Sequence, residues 1–343
     1  MKYLSLFSGI GGFELGIQQA YENNKTFQQE SIGEGSERDS SKRQRDISNT
    51  IIRGEKPKQE QGHRMGKWVC IGFSEIDKYA SQIYQSHFPT HKPYGDITKI
   101  KAEDLPEFDL IVGGFPCQSF SIAGKRGGFA DTRGTLFFDI ARIIKAKQPR
   151  LLLLENVKGL LSHDKGDTFR VIIATLDELG YDLQWQVLNS KNFGVPQNRE
   201  RVFIIGNLRG TRRPEVFPFG DNSKKVVELP GQCSNTLTAR YYGGQANGTY
   251  VLEGKQYAQE DLMVRDGRDN RSCLRAGRTP EIGIAGQSIR RLTPTECMRL
   301  QGFPDKWCDE VSDTQKYKCA GNAVTVNVIQ EIFHSILHAP LGN

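Results

Sequence analysis

A cysteine at position 117 has the setting of a chemical nucleophile. It stands in the segment Gly-Phe-Pro-Cys-Gln-Ser-Phe-Ser over residues 114–121, shortly after the apolar run 108–112, which predicts a buried β-strand. Glycine and proline beside a strand end favour a tight turn, so we expect the thiol at an accessible and rigid position. Such a thiol could act in nucleophilic catalysis. The alternative interpretation is a structural cysteine.

Three charged side chains are predicted at the ends of later strands, where open α/β sheets build their sites. Glu155 follows the apolar run 150–154, and Arg199 and Arg201 lead into the predicted strand 202–206. Alternate residues of an extended chain point to one face, so we expect the two arginines side by side. We expect these charges to belong to a site; solvated surface charge is the alternative.

A glycine turn near the start of the chain predicts a cofactor-binding loop. Residues 4–7 predict a strand, Ser-Gly-Ile-Gly-Gly occupies 8–12, and residues 13–21 have a helical pattern. Backbone N–H groups and a helix N-terminus can then face a ligand, although a plain strand-to-helix turn fits as well. The spacing differs from G-x-G-x-x-G, so a nicotinamide dinucleotide is not favoured.

Two acidic residues extend this predicted cofactor site. Glu75 follows the predicted strand 68–74, where Rossmann-like sheets bind ribose hydroxyls. Without residues 23–67, the number of residues between the glycines and Glu75 would be close to that usual in Rossmann-like sheets. The polar composition of residues 23–67 predicts a disordered insertion. Asp96, after the predicted helix 79–87, could place a second acid near an adenine. A surface position is the alternative for Glu75.

Six sequence blocks, in this order, resemble the C5-cytosine DNA methyltransferase family. They are FSGIGG (7–12), GFPCQSFS (114–121), ENVKGL (155–160), PQNRERVFIIG (196–206), RRLTPTECMRLQGFP (290–304) and GNAVTVNV (321–328). The blocks cover nearly the whole chain except residues 23–67 and about 207–285. The resemblance is to the compact bacterial or phage enzymes of restriction–modification systems.

The resemblance implies an α/β fold with a Rossmann-like S-adenosylmethionine-dependent methyltransferase domain and a smaller inserted target-recognition domain. Phe7 would pack on the adenine of S-adenosylmethionine, Glu75 would bind its ribose, and Asp96 its amino group. The full set expected around the cofactor is Phe7, Gly9, Gly11, Gly12, Glu75, Ile76, Asp96, Ile97, Pro116, Leu136, Asn322 and Val324.

The resemblance also implies how a cytosine would react. Cys117 would add to C6 of the ring so that C5 can attack the methyl group. Glu155 would hold N3 and the exocyclic amine, and Arg201 would contact O2. Arg199 would support the thiolate or a phosphate. A base, expected to be a water molecule, would remove the C5 proton.

A base inside a duplex cannot present C6 to a thiol, so double-stranded DNA would be bound with the cytosine flipped out. The glycine-rich residues 121–129 suit a mobile lid, and the variable segment of about 207–285 suits target recognition. The expected DNA-binding residues are Gln118, Ser121, Lys125, Arg126, Thr236, Arg240 and Tyr242. Five arginines between residues 265 and 278 supply further candidates for base contact.

The expected domains are 1–206 plus 317–343 for catalysis and cofactor binding, and 207–316 for target recognition. Thr293 is a predicted N-cap followed by Pro294 and by Glu296, in a segment expected to support the recognition domain. The final helix, 325–337, should pack back on the cofactor domain. The insertion 23–67 could be inert, contact DNA or bind a partner; its polar composition favours the first.

Composition and net charge further restrict the class of protein that the sequence can represent. The 343 residues carry a formal net charge of +6, which mildly favours a polyanionic partner, and seven cysteines without a CxxC pair. We therefore expect reduced thiols, no metal site, no signal peptide, no membrane association and a cytoplasmic monomer, paired functionally with a cognate restriction endonuclease. The alternatives are a related tRNA cytosine-C5 methyltransferase, an inactive DNA-binding protein and, least favoured, a nicotinamide oxidoreductase.

Overall fold

The computed structural model describes residues 1–33, 68–116, 136–211, 214–219, 234–235, 250–253 and 288–338. Its strands are β1 (Lys2–Leu6), β2 (Val69–Ser74), β3 (Leu110–Gly114), β4 (Leu151–Val157), β5 (Tyr181–Asn189), β6 (Gln197–Asn198), β7 (Glu200–Leu208), β8 (Ser234–Asn235), β9 (Tyr250–Glu253) and β10 (Ser288–Arg291). Its α-helices are α1 (Gly12–Gly33), α2 (Lys78–His87), α3 (Leu136–Lys147), α4 (Asp167–Glu178), α5 (Pro294–Leu300), α6 (Asp313–Asn322) and α7 (Val326–His338).

A six-stranded mixed sheet is the centre of the fold, in the order β2-β1-β3-β4-β7-β5. The strands β2, β1, β3 and β4 are parallel, and β7 is antiparallel to both of its neighbours. This arrangement confirms the predicted α/β class. The reversed strand β7 matters for function, because it begins at the edge where the parallel strands end.

Alternating side chains of the central strands build two cores, one on each face of the sheet. Leu152 and Leu154 of β4 pack with α3 and α4, whereas Leu151 and Leu153 pack with α1 and α7. The run of four leucines is therefore buried on both faces, as is usual for a central parallel strand. The final helix packs on α1 and on the sheet, within the part of the chain predicted to form the cofactor domain.

A third core joins the segment after the predicted recognition region to the first two helices. Leu292, Met298 and Trp307 pack with Leu15 of α1 and Ile83 of α2. Thr293 caps α5 in the predicted capping box with Glu296. The segment was expected to support the recognition domain, but its described residues pack on the predicted catalytic domain. The division at residues 207 and 316 remains a prediction.

Helix α1 is longer than the sequence pattern predicted. It was expected to end at Tyr21, with an irregular insertion from residue 23, but its backbone stays helical to Gly33. Residues 23–33 of the stretch predicted to be disordered are therefore helical. The physical reason is that glutamine, glutamate and lysine are polar and yet good helix formers, so polarity alone does not end a helix. Residues 34–67 lie outside the described part.

No helix among the described residues is long and apolar enough to cross a membrane. The four described cysteines are Cys70, Cys297, Cys308 and Cys319, and all four are free thiols in buried positions. Burial raises the pKa of the Cys70 and Cys319 thiols to about 12, which makes them poor nucleophiles. None of the described cysteines is therefore a better candidate for the nucleophile than Cys117.

Candidate active site

The predicted site residues lie along one edge of the sheet, at the carboxyl ends of the parallel strands. Glu75 follows β2 directly, Pro116 follows β3, and Glu155 lies near the end of β4. The antiparallel strand β7 starts at this edge with Glu200 and Arg201. Residues that are up to 126 positions apart in sequence are thus brought together by strand order, in the place where α/β sheets bind ligands.

Glu155 and Arg201 form an ion pair across β4 and β7. Glu155 Oε1 lies 3.0 Å from Arg201 Nε, and the side chains are only 12% and 15% exposed. Arg201 stands opposite Val157 in the ladder, so the pair is a diagonal contact between antiparallel strands. A second guanidinium nitrogen, Nη1, donates to the Glu200 carbonyl at 2.8 Å. The pair is held in one orientation and retains a small opening to solvent.

Gly114 leaves room for this carboxylate. It stands opposite Glu155 in the parallel ladder between β3 and β4. A Cβ atom at position 114 would lie 2.8 Å from Glu155 Oε2, closer than real Cβ contacts allow. A side chain at position 114 would therefore displace the Glu155 carboxylate from its present position.

Burial raises the pKa of the Glu155 carboxyl above its ordinary value, and the positive charges of Arg201 and Arg199 oppose the rise. The carboxyl is consequently easier to protonate than an exposed glutamate. A carboxyl that can take up a proton at this edge of the sheet could donate a hydrogen bond to a ring nitrogen of a ligand.

Arg199 is placed differently from Arg201. It is 2% exposed, and its Nη2 donates to the carbonyls of Gly321 at 3.2 Å and Ala323 at 2.8 Å. Burial lowers the pKa of its guanidinium to about 9, which leaves it charged at neutral pH. The charges of both arginines act on Glu155, but their direct contacts differ: Arg201 pairs with Glu155, whereas Arg199 supports the junction between α6 and α7. Because Arg199 is buried, a role in holding the site residues in place is favoured over contact with a phosphate.

Asn156 fixes the chain just before Cys117. Its side-chain nitrogen donates to the carbonyl of Phe115 at 2.8 Å, and its side-chain oxygen accepts from the Val157 N–H at 2.8 Å. The residue is fully buried. It therefore links the end of β4 to the end of β3, two residues before the predicted nucleophile.

The glycine loop is built around hydrogen bonds to its backbone. The Gly9 N–H donates to Glu75 Oε2 at 2.9 Å, and the other oxygen of Glu75 accepts from the Asp77 N–H at 2.8 Å. Gly9 has a φ of +55°, and open space surrounds the position that a Cβ would take. Gly11 has a φ of +90°, and a Cβ there would collide with Phe88. Gly11 thus requires glycine, whereas at Gly9 the positive φ favours glycine.

The remaining cofactor candidates differ in their exposure and in the elements that carry them. Ile76, beside Glu75, is 74% exposed, an unusual exposure for a large apolar side chain that suits a flat apolar ligand. Val324 packs against Gly12, where a Cβ would lie 2.8 Å from Val324 Cγ1, and Asn322 is exposed at the end of α6. Phe7 is half-buried, with a φ of 53°, at the end of β1.

Asp96 and its neighbour lie further along the same edge. Asp96 Oδ1 accepts from the N–H and hydroxyl of Thr98, and these bonds lower the pKa of the carboxyl. Ile97 is 2% exposed and packs in the core, so the structure does not present its side chain to a ligand at this edge. Pro116 is exposed, and Leu136 is the first residue of α3.

Cys117 and every predicted DNA-binding residue lie outside the described part of the chain. These are Gln118, Ser121, Lys125, Arg126, Thr236, Arg240 and Tyr242. One described contact bears on them, because β8, immediately before Thr236, pairs in parallel with β6. The chain that leads to Thr236 is therefore attached directly beside Arg199, since Asn235 pairs with Asn198.

Sequence reasoning missed Asn156 and an ion pair between α6 and the start of α2. Lys318 Nζ of α6 lies 2.6 Å from Asp77 Oδ2, and the other oxygen of Asp77 caps α2. Asn156 stands next to Glu155 in a block already identified, so that block could have pointed to it. The pair between Asp77 and Lys318 spans 241 positions, and no local pattern indicates it.

Comparison with known proteins agrees with this geometry. The family model described as C-5 cytosine-specific DNA methylase matches residues 59–229 and 224–338, which is most of the chain. The chain belongs to this family. It is a DNA (cytosine-5)-methyltransferase, as the order of its sequence blocks predicted.

Individual relatives share most of its length. The type II methyltransferase M1.ScrFI of Lactococcus lactis subsp. cremoris is 40% identical over 80% of this chain and 74% of its own. The type II methyltransferase M.Bsp6I of Bacillus sp. is 37% identical over 99% of this chain and 100% of its own. A putative DNA modification methyltransferase encoded within a prophage, from E. coli, has a similar fold, with a TM-score of 0.56 at 18% identity over 98% of each chain.

Proposed function

We propose that this methyltransferase transfers a methyl group from S-adenosylmethionine to C5 of a cytosine in one specific duplex sequence, as the modification part of a restriction–modification system. The observation that carries the proposal is the buried pair of Glu155 and Arg201 at the sheet edge next to Pro116, with the glycine loop and Glu75 on the same edge. The type II methyltransferases that resemble the chain along most of its length support the biological role.

The glycine loop and its neighbours would hold the cofactor. Glu75 would accept from the ribose hydroxyls, the exposed Ile76 and Phe7 would contact the adenine, and Asp96 its amino group. Gly9, Asn322 and Val324 would surround the methionine end. Open space at Gly9, beside a carboxylate and an exposed apolar side chain, fits a ligand that combines an adenosine with a charged tail. When bound, S-adenosylmethionine supplies an electrophilic methyl group.

The residues of the chain would act on the cytosine. The Cys117 thiolate forms a bond to C6, and the displaced electron pair of the C5–C6 double bond makes C5 nucleophilic enough to take the methyl group. A base, which we propose is water, then removes the C5 proton. The electrons of the C5–H bond restore the double bond, and the Cys117 thiolate leaves.

Glu155 and Arg201 would stabilise the ring while charge develops. The raised pKa of Glu155 would let its carboxyl donate a hydrogen bond to N3, and Arg201, held by its pair with Glu155, would contact O2 as a cation. Arg199 would be a positioning residue, since it holds the carbonyls of the cofactor-side junction and precedes Arg201 by two residues.

DNA would be bound with the target cytosine flipped out. Lys125 and Arg126 would meet phosphates in the lid 121–129, together with Gln118 and Ser121. Thr236, Arg240 and Tyr242 would approach the target from the recognition segment. We propose that the enzyme acts as a monomer in the cytoplasm and protects host or phage DNA from a cognate endonuclease.

Bisulfite sequencing tests the function directly. Plasmid DNA from cells that express the wild-type chain should show protected cytosines in one short recurring motif. Cys117→Ser should abolish protection, and Glu155→Gln should reduce it heavily while duplex binding changes little. Absence of protection with the wild type, or persistence of protection with Cys117→Ser, would contradict the proposal. The same assay on tRNA would then decide for an RNA substrate.

A further inference from the structure

Trp307 connects the segment after the recognition region to the glycine loop. Its indole Nε1–H donates to the carbonyl of Ile10 at 2.9 Å, and both residues are buried. These residues are 297 positions apart, and Trp307 lies in none of the blocks that identified the family. The contact therefore ties a remote part of the chain to the proposed cofactor loop.

The contact acts on one particular peptide plane. Between Ile10 and Gly11, the carbonyl accepts from Trp307, and the N–H donates to the Ser8 carbonyl at 3.0 Å. Of the two residues that flank this plane, Gly11 is a glycine with a φ of +90°, so on its side the plane can rotate at little steric cost. Trp307 supplies the hydrogen bond that opposes such rotation.

Trp307 is itself held rigidly. The imidazole of His87 stacks on it, with ring centroids 3.5 Å apart and planes 6° apart, and His87 Nε2 lies 2.7 Å from the Trp307 carbonyl. Phe303 and Phe88 pack around the same indole. A donor fixed by its neighbours loses little freedom when it holds the loop.

We propose that Trp307 is a positioning residue for cofactor binding: its indole N–H keeps the glycine loop in the conformation that the ligand requires. The proposal rests on the proposed function, because it assumes that this loop holds S-adenosylmethionine. It predicts that loss of the N–H weakens cofactor affinity while the chemical step at saturating cofactor is preserved, since Trp307 touches no reacting atom.

Isothermal titration with S-adenosylhomocysteine is the test. Trp307→Phe keeps an aromatic ring but removes the N–H, and should raise Kd about threefold to tenfold, the factor expected for one lost hydrogen bond. The methylation rate at saturating cofactor should stay within about twofold of wild type, by the same argument. Trp185→Phe is the matched control, because Trp185 is half-exposed on β5, four strands away from β1, and should leave Kd unchanged.

The outcomes separate the two proposals. If wild type fails to bind S-adenosylhomocysteine, the proposed cofactor is wrong. If wild type binds and folded Trp307→Phe binds equally well, or loses methylation rate while its Kd is unchanged, the positioning role is wrong. Should Trp307→Phe unfold, His87→Gln removes the stacked ring and leaves Trp307 in place. The proposal then predicts a raised Kd for His87→Gln, and an unchanged Kd would overturn it.

Discussion

Glu14 makes the stability of this protein depend on pH in a way that one substitution should remove. The residue lies in the first turn of α1 and is 2% exposed. Burial raises the pKa of its carboxyl from 4.5 to about 7, although the hydroxyls of Ser5 and Tyr84 favour the charged form. The folded protein therefore holds a proton at Glu14 at pH values where the unfolded chain has released it.

The sign and the magnitude follow from that difference. Below pH 4.5 the Glu14 carboxyl is protonated in both the folded and the unfolded state, so it does not make the free energy of unfolding depend on pH. As pH rises to about 7, ionisation of the carboxyl stabilises the unfolded state but not the folded state. At about 1.4 kcal/mol per pH unit, the free energy of unfolding should fall by about 3 kcal/mol across this window. Glu14→Gln cannot ionise, so its free energy of unfolding should lack this fall.

Urea denaturation at pH 5, 6, 7 and 8 measures the effect. The free energy of unfolding of wild type, relative to Glu14→Gln, should decrease steadily with pH and level off above about 7. Glu22→Gln, on the exposed part of the same helix, is the matched control and should follow the wild type. If wild type and Glu14→Gln give parallel curves, the carboxyl is not desolvated and the reasoning is refuted.

Three further results are expected. Arg199→Met should lower the free energy of unfolding by about 3 kcal/mol, because two buried carbonyls lose a charged donor, and urea denaturation would show whether it does. Asn156→Ala should reduce the methylation rate about threefold to tenfold with Kd for S-adenosylhomocysteine unchanged, because it frees the Phe115 carbonyl before the nucleophile; an unchanged rate would argue against this role. Deletion of residues 34–66 should leave DNA affinity within about twofold of wild type in gel-shift titrations, given their polar composition, and a large loss with folding intact would show that the segment binds DNA.

Much of the fold and the family could be predicted from the sequence by itself. Apolar runs of strand length and helical spacing predicted the central strands and most helices, because these signals depend on periods of 2 and 3.6 residues. The capping box at Thr293 was predicted for the same local reason and is present. The order of the blocks identified a cytosine-5 methyltransferase, and the comparisons confirm it.

Only the tertiary structure decided which of these residues meet. The pairing of Glu155 with Arg201 depends on β7 running antiparallel beside β4. Arg199, which looks equivalent in the sequence, instead donates to carbonyls at the end of α6. An acidic residue in the first turn of a helix is expected to stabilise the helix through its negative charge. Packing buries Glu14, however, so its ionisation destabilises the folded protein. The contact between Trp307 and Ile10 joins opposite ends of the chain. Local periodicity carries no information on strand order or register, and it does not reveal which charged side chains packing will bury; these three fix the contacts of the site.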